Sequence, residues 1–207
     1  MAQFYQALYA FFFQNPYELA GFITSLLCVW LNARQNAWGW FFAIVAAACY
    51  IQVYAQIRLI GDLLLQVVFI LVSMYGWYHW QFGKRAHQVR LPVSLIPLRE
   101  AGLLLLLVVV GTWLTAQLLA WLDGDLVYLD AATTVISLAA QWMMARKYLE
   151  NWWVWIGVDV VYLGIYCYKA VYLTALLYFI FLFLAYWGGQ QWRKALKAQS
   201  EHSGAIG

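Results

Sequence analysis

The sequence predicts an all-α integral membrane protein with seven transmembrane helices, arranged 3+1+3 as two parallel three-helix repeats joined by a linker helix. Three observations predict this: the composition, a series of apolar runs, and an internal repeat. Of the 207 residues, 66% are hydrophobic and 10% are charged, and the mean hydropathy is +0.70. A soluble domain keeps about a quarter of its residues charged so that water can wet its surface. This chain has no such supply. With roughly 20 apolar residues per crossing, its length accommodates seven crossings and no separate soluble domain. Thirteen Trp and fifteen Tyr exceed the needs of a core, so a share of them is expected at the lipid–water boundary, where amphipathic rings are favoured.

Taken in order, the segment from Gln3 to Phe13 is aromatic-rich but too short to span, and is expected to lie on the membrane surface. The apolar runs then fall at Leu19–Ala33, Asn36–Ile57, Leu63–Phe82, Gly102–Leu122, Ala131–Ala145, Leu149–Tyr168 and Ala170–Trp192. The first and fifth are short for a crossing. The longest connection, Gly83 to Ala101, holds Pro92, Pro97 and most of the loop charge. The expected organisation is an interfacial helix within 1–18, a first repeat over 19–82, and a connecting loop with linker helix over 83–130; a second repeat covers 131–192 and a tail 193–207. No basic n-region opens the chain, so a cleaved signal peptide is not expected. Cys28, Cys49 and Cys167 lie in apolar runs without metal-ligand spacing and are expected to fill core.

Seven crossings put the termini on opposite sides, and the loop cations divide ten against two. Only Arg58 and Lys169 fall on the side away from the C-terminus. The positive-inside rule therefore places the C-terminus in the cytoplasm and the N-terminus outside.

Shifted by 112 positions, the first three spans overlay the last three without a gap. Trp30/Trp142, Arg34/Arg146, Trp40/Trp152, Tyr50/Tyr162, Tyr54/Tyr166, Gly76/Gly188 and Trp80/Trp192 are among the matches. Rare Trp and Arg in register are hard to produce by chance. The linker adds one crossing, so both repeats enter the membrane from the same side, and repeats of this kind hold a substrate site at their interface near the midplane. The paired short spans point the same way, or else merely tilt less.

Within the sixth span Trp152, Trp155, Asp159, Tyr162 and Tyr166 are spaced 3, 4, 3 and 4, which sets them on one helical face. An ionisable residue at mid-span is costly in lipid and marks a functional site by default; its plainer reading is an Asp held by neighbouring hydroxyls. One carboxylate on an aromatic face suits a flat, positively charged ring, held by stacking, cation–π contact and charge balance. The equivalent face of the second span reads Trp40, Ala43, Ala47, Tyr50 and Tyr54. Ala47 stands opposite Asp159, which makes either a cavity or a close helix contact. Thr133, Ser137 and Gln141 share a face, although single Ser and Thr usually bond their own backbone. Gln66 offers a donor and an acceptor to a ligand's polar edge, and Tyr178 a hydroxyl. Trp80, Trp113 and Trp192 are expected as belt anchors and His79 as an interfacial residue.

Several chemistries are missing. The sequence has no phosphate-binding Gly-rich loop, no His/Cys/Glu set with metal spacing, and no nucleophile–base pairing. Lys169 lies in a connection rather than mid-span, which disfavours a Schiff-base photoreceptor. An enzyme is not expected, nor a cofactor, a metal or a nucleic-acid partner.

The stretches Asp62-Leu-Leu-Leu-Gln66 to Tyr75-Gly-Trp-Tyr78, Arg146-Lys-Tyr-Leu-Glu-Asn-Trp152 and Tyr172-Leu-Thr-Ala-Leu-Leu-Tyr178 resemble the PnuC family of bacterial vitamin transporters. The resemblance covers most of both repeats. It implies a SWEET-like fold, a homotrimer in the inner membrane, and facilitated diffusion of a dephosphorylated vitamin trapped by a cytoplasmic kinase. Nicotinamide riboside members of the family carry Asn where this chain has Ala46, Ser73 and Asp159. Loss of amides and gain of a carboxylate favour thiamine slightly over nicotinamide riboside. On this reading Trp152, Trp155, Tyr162 and Tyr166, with Trp40 and Tyr50, line the substrate; Asp159 balances its charge, and Gln66 and Tyr178 bond its edge. A SWEET-like carrier of neutral sugars and a non-transporting scaffold are the alternatives.

Overall fold

A computed structural model describes residues 16–56, 60–83, 91–121, 127–168 and 172–204. These form seven helices: α1 (Pro16–Ala33), α2 (Trp38–Gln56), α3 (Ile60–Phe82), α4 (Leu98–Trp121), α5 (Val127–Ala145), α6 (Asn151–Tyr168) and α7 (Tyr172–Gly204). The expected surface helix over Gln3–Phe13, and the loop residues Arg58, Asp123, Asp125 and Lys169, lie outside the described residues.

By length and composition, Trp38–Gln56, Leu63–Phe82 and Leu98–Trp121 are long and apolar enough to cross a membrane. The remaining helices carry more polar groups and Trp or Tyr, which lowers their mean hydropathy without shortening them. Indeed the two expected short spans are of ordinary length: α1 has 18 residues and α5 has 19, roughly 27–29 Å at 1.5 Å per residue. Each gains its extra turn from residues that read as loop. Pro16 has the dihedral required at the first helical position, and Glu18 and Asp130 sit in first turns, where helix amides favour negative charge. At the other extreme α7 runs on past Trp192 to Gly204, so the described part of the tail is a continuation of the helix.

The packing repeats with the sequence. In the first triplet α1 packs on α2 and α2 on α3; in the second α5 packs on α6 and α6 on α7. The triplets join crosswise, α1 against α7 and α3 against α5, with α4 laid on α5. Trp80 Nε1 donates to the Met144 carbonyl at 3.2 Å, and Trp192 Nε1 donates to the Asn32 carbonyl at 3.0 Å. Asn32 and Met144 are themselves 112 apart and touch, Asn32 Nδ2 to Met144 Sδ at 3.3 Å. Just beyond, Lys147 Nζ donates to Gln35 Oε1 at 3.3 Å, and these two equivalent residues both take left-handed backbone, φ 55° and 56°. Such reciprocity is what two like units make about a local two-fold axis.

Glycine permits the same close approach in each triplet. A Cβ on Gly76 would stand 2.6 Å from the Trp40 ring, and one on Gly188 2.6 Å from the Trp152 ring. The indoles of Trp80 and Trp192 also belong to this core, at 6% and 0% exposed, so they are not the belt anchors expected of them. Trp113, at 59%, does face outward. Cys28 and Cys49 are partly buried, whereas Cys167 is exposed rather than core-filling.

The connection ahead of α4 is docked. Leu91 and Val93 are each 2% exposed. Ser94 N donates to the Lys147 carbonyl at 3.0 Å and its carbonyl accepts from Leu149 N at 2.9 Å, while Ile96 N donates to the Glu150 carboxylate. Pro92 and Pro97 hold the flanking backbone extended, as this bridge requires.

Candidate functional site between the repeats

Helix α6 carries the main face of the candidate site. Its start, at the end of the bundle where Arg34, Arg146, Lys147 and Arg193 gather, places Trp152 low; Asp159 stands about 10 Å higher and Tyr166 about 10 Å above that. Three layers result: indoles at the basic end, an acid midway, and tyrosines toward the far end.

The tyrosine layer draws on both triplets. Tyr178 of α7 stacks on Tyr162 at 4.8 Å and on Tyr166 at 5.4 Å. Tyr162 and Tyr166 are 6.1 Å apart with a 26° interplanar angle, and their counterparts Tyr50 and Tyr54 are 6.2 Å apart at the same 26°. Each triplet thus carries the same stacked tyrosine pair, one on α2 and one on α6. Helices α2 and α6 are not among the pairs packed backbone to backbone.

Asp159 is 4% exposed and has no hydrogen-bond or ion-pair partner among the described residues. The neighbouring hydroxyls that would make it a packing residue are not bonded to it. In the indole layer Trp152 and Trp40 are 1% and 0% exposed. Trp152 meets Trp192 edge-on at 5.4 Å, as Trp40 meets Trp80. The ring nitrogens of Trp40, Trp152 and Trp155 are all buried without an acceptor, unlike those of Trp80 and Trp192. A buried donor left open is unusual enough to require an explanation such as a water or a ligand. Gln66, equivalent to Tyr178 by the 112 shift, is half-buried on α3.

Sequence reasoning missed a second polar feature. Gln141 Nε2 donates to Ser73 Oγ at 3.3 Å, joining α5 to α3. Ser73 is 1% exposed and already engaged, so it does not stand open to a ligand in this conformation. Thr133, by contrast, bonds its own helix at Leu129 O, 2.9 Å. The stretch from Arg146 to Trp152 holds the docked loop: Lys147 Nζ donates to Leu91 O at 3.0 Å, and the Tyr148 hydroxyl donates to Glu100 at 2.7 Å. Arg146 completes this cluster with Glu100 at 3.6 Å. The Tyr148 hydroxyl favours its charged form and pushes its pKa above the usual arginine value.

Two like triplets that exchange contacts, with unanswered polar groups between them, are the machinery of a membrane transporter for small solutes. The chain belongs to the PnuC family of vitamin transporters. The family model described as nicotinamide mononucleotide transporter matches residues 15–194. The nicotinamide riboside transporter PnuC of Escherichia coli (strain K12) is 28% identical over 200 residues, covering 84% of each chain. The riboflavin/roseoflavin transporter RibM of Streptomyces davaonensis is 26% identical over 182 residues, covering 84% of this chain and 83% of its own. The crystal structure of the vitamin B3 transporter PnuC superposes with a TM-score of 0.72 at 24% identity over 93% of this chain and 87% of that one, which establishes the shared fold. Family and relatives are transporters and not enzymes.

Proposed function

We propose that this protein carries nicotinamide riboside inward across the bacterial cytoplasmic membrane by facilitated diffusion. The observation that carries the reading is Asp159, buried on the helix face that also bears Trp155, Tyr162 and Tyr166, with no hydrogen-bond or ion-pair partner among the described residues. A cationic aromatic ring answers it: the tyrosines take the plane, the carboxylate balances the charge, and the open indole N–H groups meet polar edges. The name of the Escherichia coli relative supports nicotinamide riboside, whereas no relative described above is named for thiamine. Trp155, Tyr162, Tyr166, Tyr178, Tyr50 and Gln66 line the route, with Trp40 and Trp152 beneath. The C-terminus faces the cytoplasm by the positive-inside rule. The protein works as a homotrimer, and a cytoplasmic kinase traps the vitamin.

Thiamine is the second reading, and one observation favours it. Ala46 has no amide and Ser73 is engaged by Gln141, which leaves few partners for ribose hydroxyls. Calorimetric titration of the purified protein with nicotinamide riboside, thiamine and riboflavin separates the cases. Tightest binding of nicotinamide riboside is expected; tightest binding of neutral riboflavin sinks the charge-balance reading. Flux into liposomes without an ion gradient tests facilitated diffusion.

A further inference from the structure

Three arginines at the basic end lie over tryptophan rings: Arg34 over Trp30 at 4.2 Å, Arg146 over Trp142 at 5.7 Å, and Arg193 over Trp153 at 5.5 Å. Arg34 and Arg146 are equivalent under the 112 shift, but their surroundings differ. Arg146 is paired with Glu100 of the linker helix. Its helix face, Val135, Ala139 and Trp142, is covered, since α4 packs on α5 and a Cβ on Gly111 would stand 3.0 Å from Val135. On α1 the corresponding face is open. Ile23, Leu27, Trp30 and Arg34 are spaced 4, 3 and 4, so they form one stripe, with the apolar members 48%, 36% and 37% exposed. Arg34 at its foot has no carboxylate partner among the described residues.

We propose that an anionic phospholipid occupies on the first triplet the place that the linker helix occupies on the second. Its phosphate answers Arg34 as the Glu100 carboxylate answers Arg146, and its acyl chains lie along the stripe where α4 lies on α5. The dimensions agree. Ile23 to Arg34 is about 16 Å of helix, close to half of a roughly 30 Å hydrocarbon core. Guanidinium forks are suited to phosphate oxygens. Arg193 supplies a second cation nearby: Trp192 bonds the Asn32 carbonyl, which brings α7 to the end of α1, and the Trp153 ring beneath it is 47% exposed. On the opposite seam the counterparts of Arg193 and Trp153 are Gln81 and Phe41. The unbalanced charge is therefore one-sided.

Native mass spectrometry of the detergent-purified protein, titrated with phosphatidylglycerol or phosphatidylcholine, tests the site. A preference for phosphatidylglycerol is expected, with at least a fivefold loss of that preference in Arg34→Gln and none in the Lys194→Gln/Lys197→Gln control. Equal losses in both variants mean diffuse charge, and no loss in Arg34→Gln means no site; either overturns the proposal, as does a shift in oligomer mass that marks this face as a contact between copies. Should Arg34→Gln fail to fold, indole quenching by acyl-brominated lipid decides. The excess quenching by phosphatidylglycerol over phosphatidylcholine is expected to vanish in Trp30→Phe, and its persistence there counts against the stripe.

Discussion

Asp159 is an ionisable carboxyl buried mid-helix with no hydrogen-bond or ion-pair partner among the described residues, and keeping it there costs stability. Asparagine has nearly the same shape and no charge. Asp159→Asn is therefore expected to raise the unfolding temperature in detergent while weakening binding of a cationic vitamin roughly ten- to hundredfold, the range of about 1.5–3 kcal/mol for a charged contact. Equal binding by both forms removes the charge-balancing role. This residue and the tyrosines were legible in the sequence, because a 3–4 spacing fixes a helical face whatever the tertiary structure. The link from Gln141 to Ser73 was not, since nothing along the chain specifies which distant hydroxyl an amide will meet. The open ring nitrogens of Trp40, Trp152 and Trp155 were equally hidden: an indole reads the same whether or not an acceptor lies beside it.

At the scale of elements, the helix-on-helix approaches are set by Gly76 and Gly188 under tryptophan rings. Alanine is the better helix former, but its methyl group cannot share the space with a buried indole. Gly188→Ala and Gly76→Ala are each expected to lower stability by about 1–3 kcal/mol, read as a reduced unfolding temperature, and by similar amounts because the contacts are equivalent. An increase in either variant means that the rings shift freely. The seven helices could be read from apolar runs and the repeat. Two helix starts could not, because an acid in a first turn scores as loop in a hydropathy reading although it stabilises the helix. The left-handed helix ends at Gln35 and Lys147 gave no signal either. Neither is the glycine that usually marks such an end; each is held there by its partner across the axis.

For the molecule as a whole, the contacts at Asn32–Met144, Gln35–Lys147 and the two Trp-to-carbonyl bonds close the basic end between the triplets. On the proposed route between the triplets, passage of a solute would require them to part. In a background free of the native cysteines, Gln35→Cys/Lys147→Cys joined by a short cleavable bis-thiol reagent is expected to abolish uptake, and cleavage to restore it. Undiminished uptake by the joined protein places the moving parts elsewhere. The 112-residue shift revealed that two like units exist; the crosswise pairing of α1 with α7 and of α3 with α5 came only from the structure, because packing partners depend on faces that apolar runs do not distinguish.

The hydrogen bond between Gln141 and Ser73 has a last consequence. At the equivalent positions on the opposite side stand Val29 and Ala185, both apolar, Ala185 in the core cluster and Val29 packed against it. Each seam holds one Trp-to-carbonyl bond, and the α3–α5 seam carries this amide-to-hydroxyl bond in addition. The α3–α5 seam is therefore expected to resist separation more than the α1–α7 seam, so that the triplets would part first along α1 and α7.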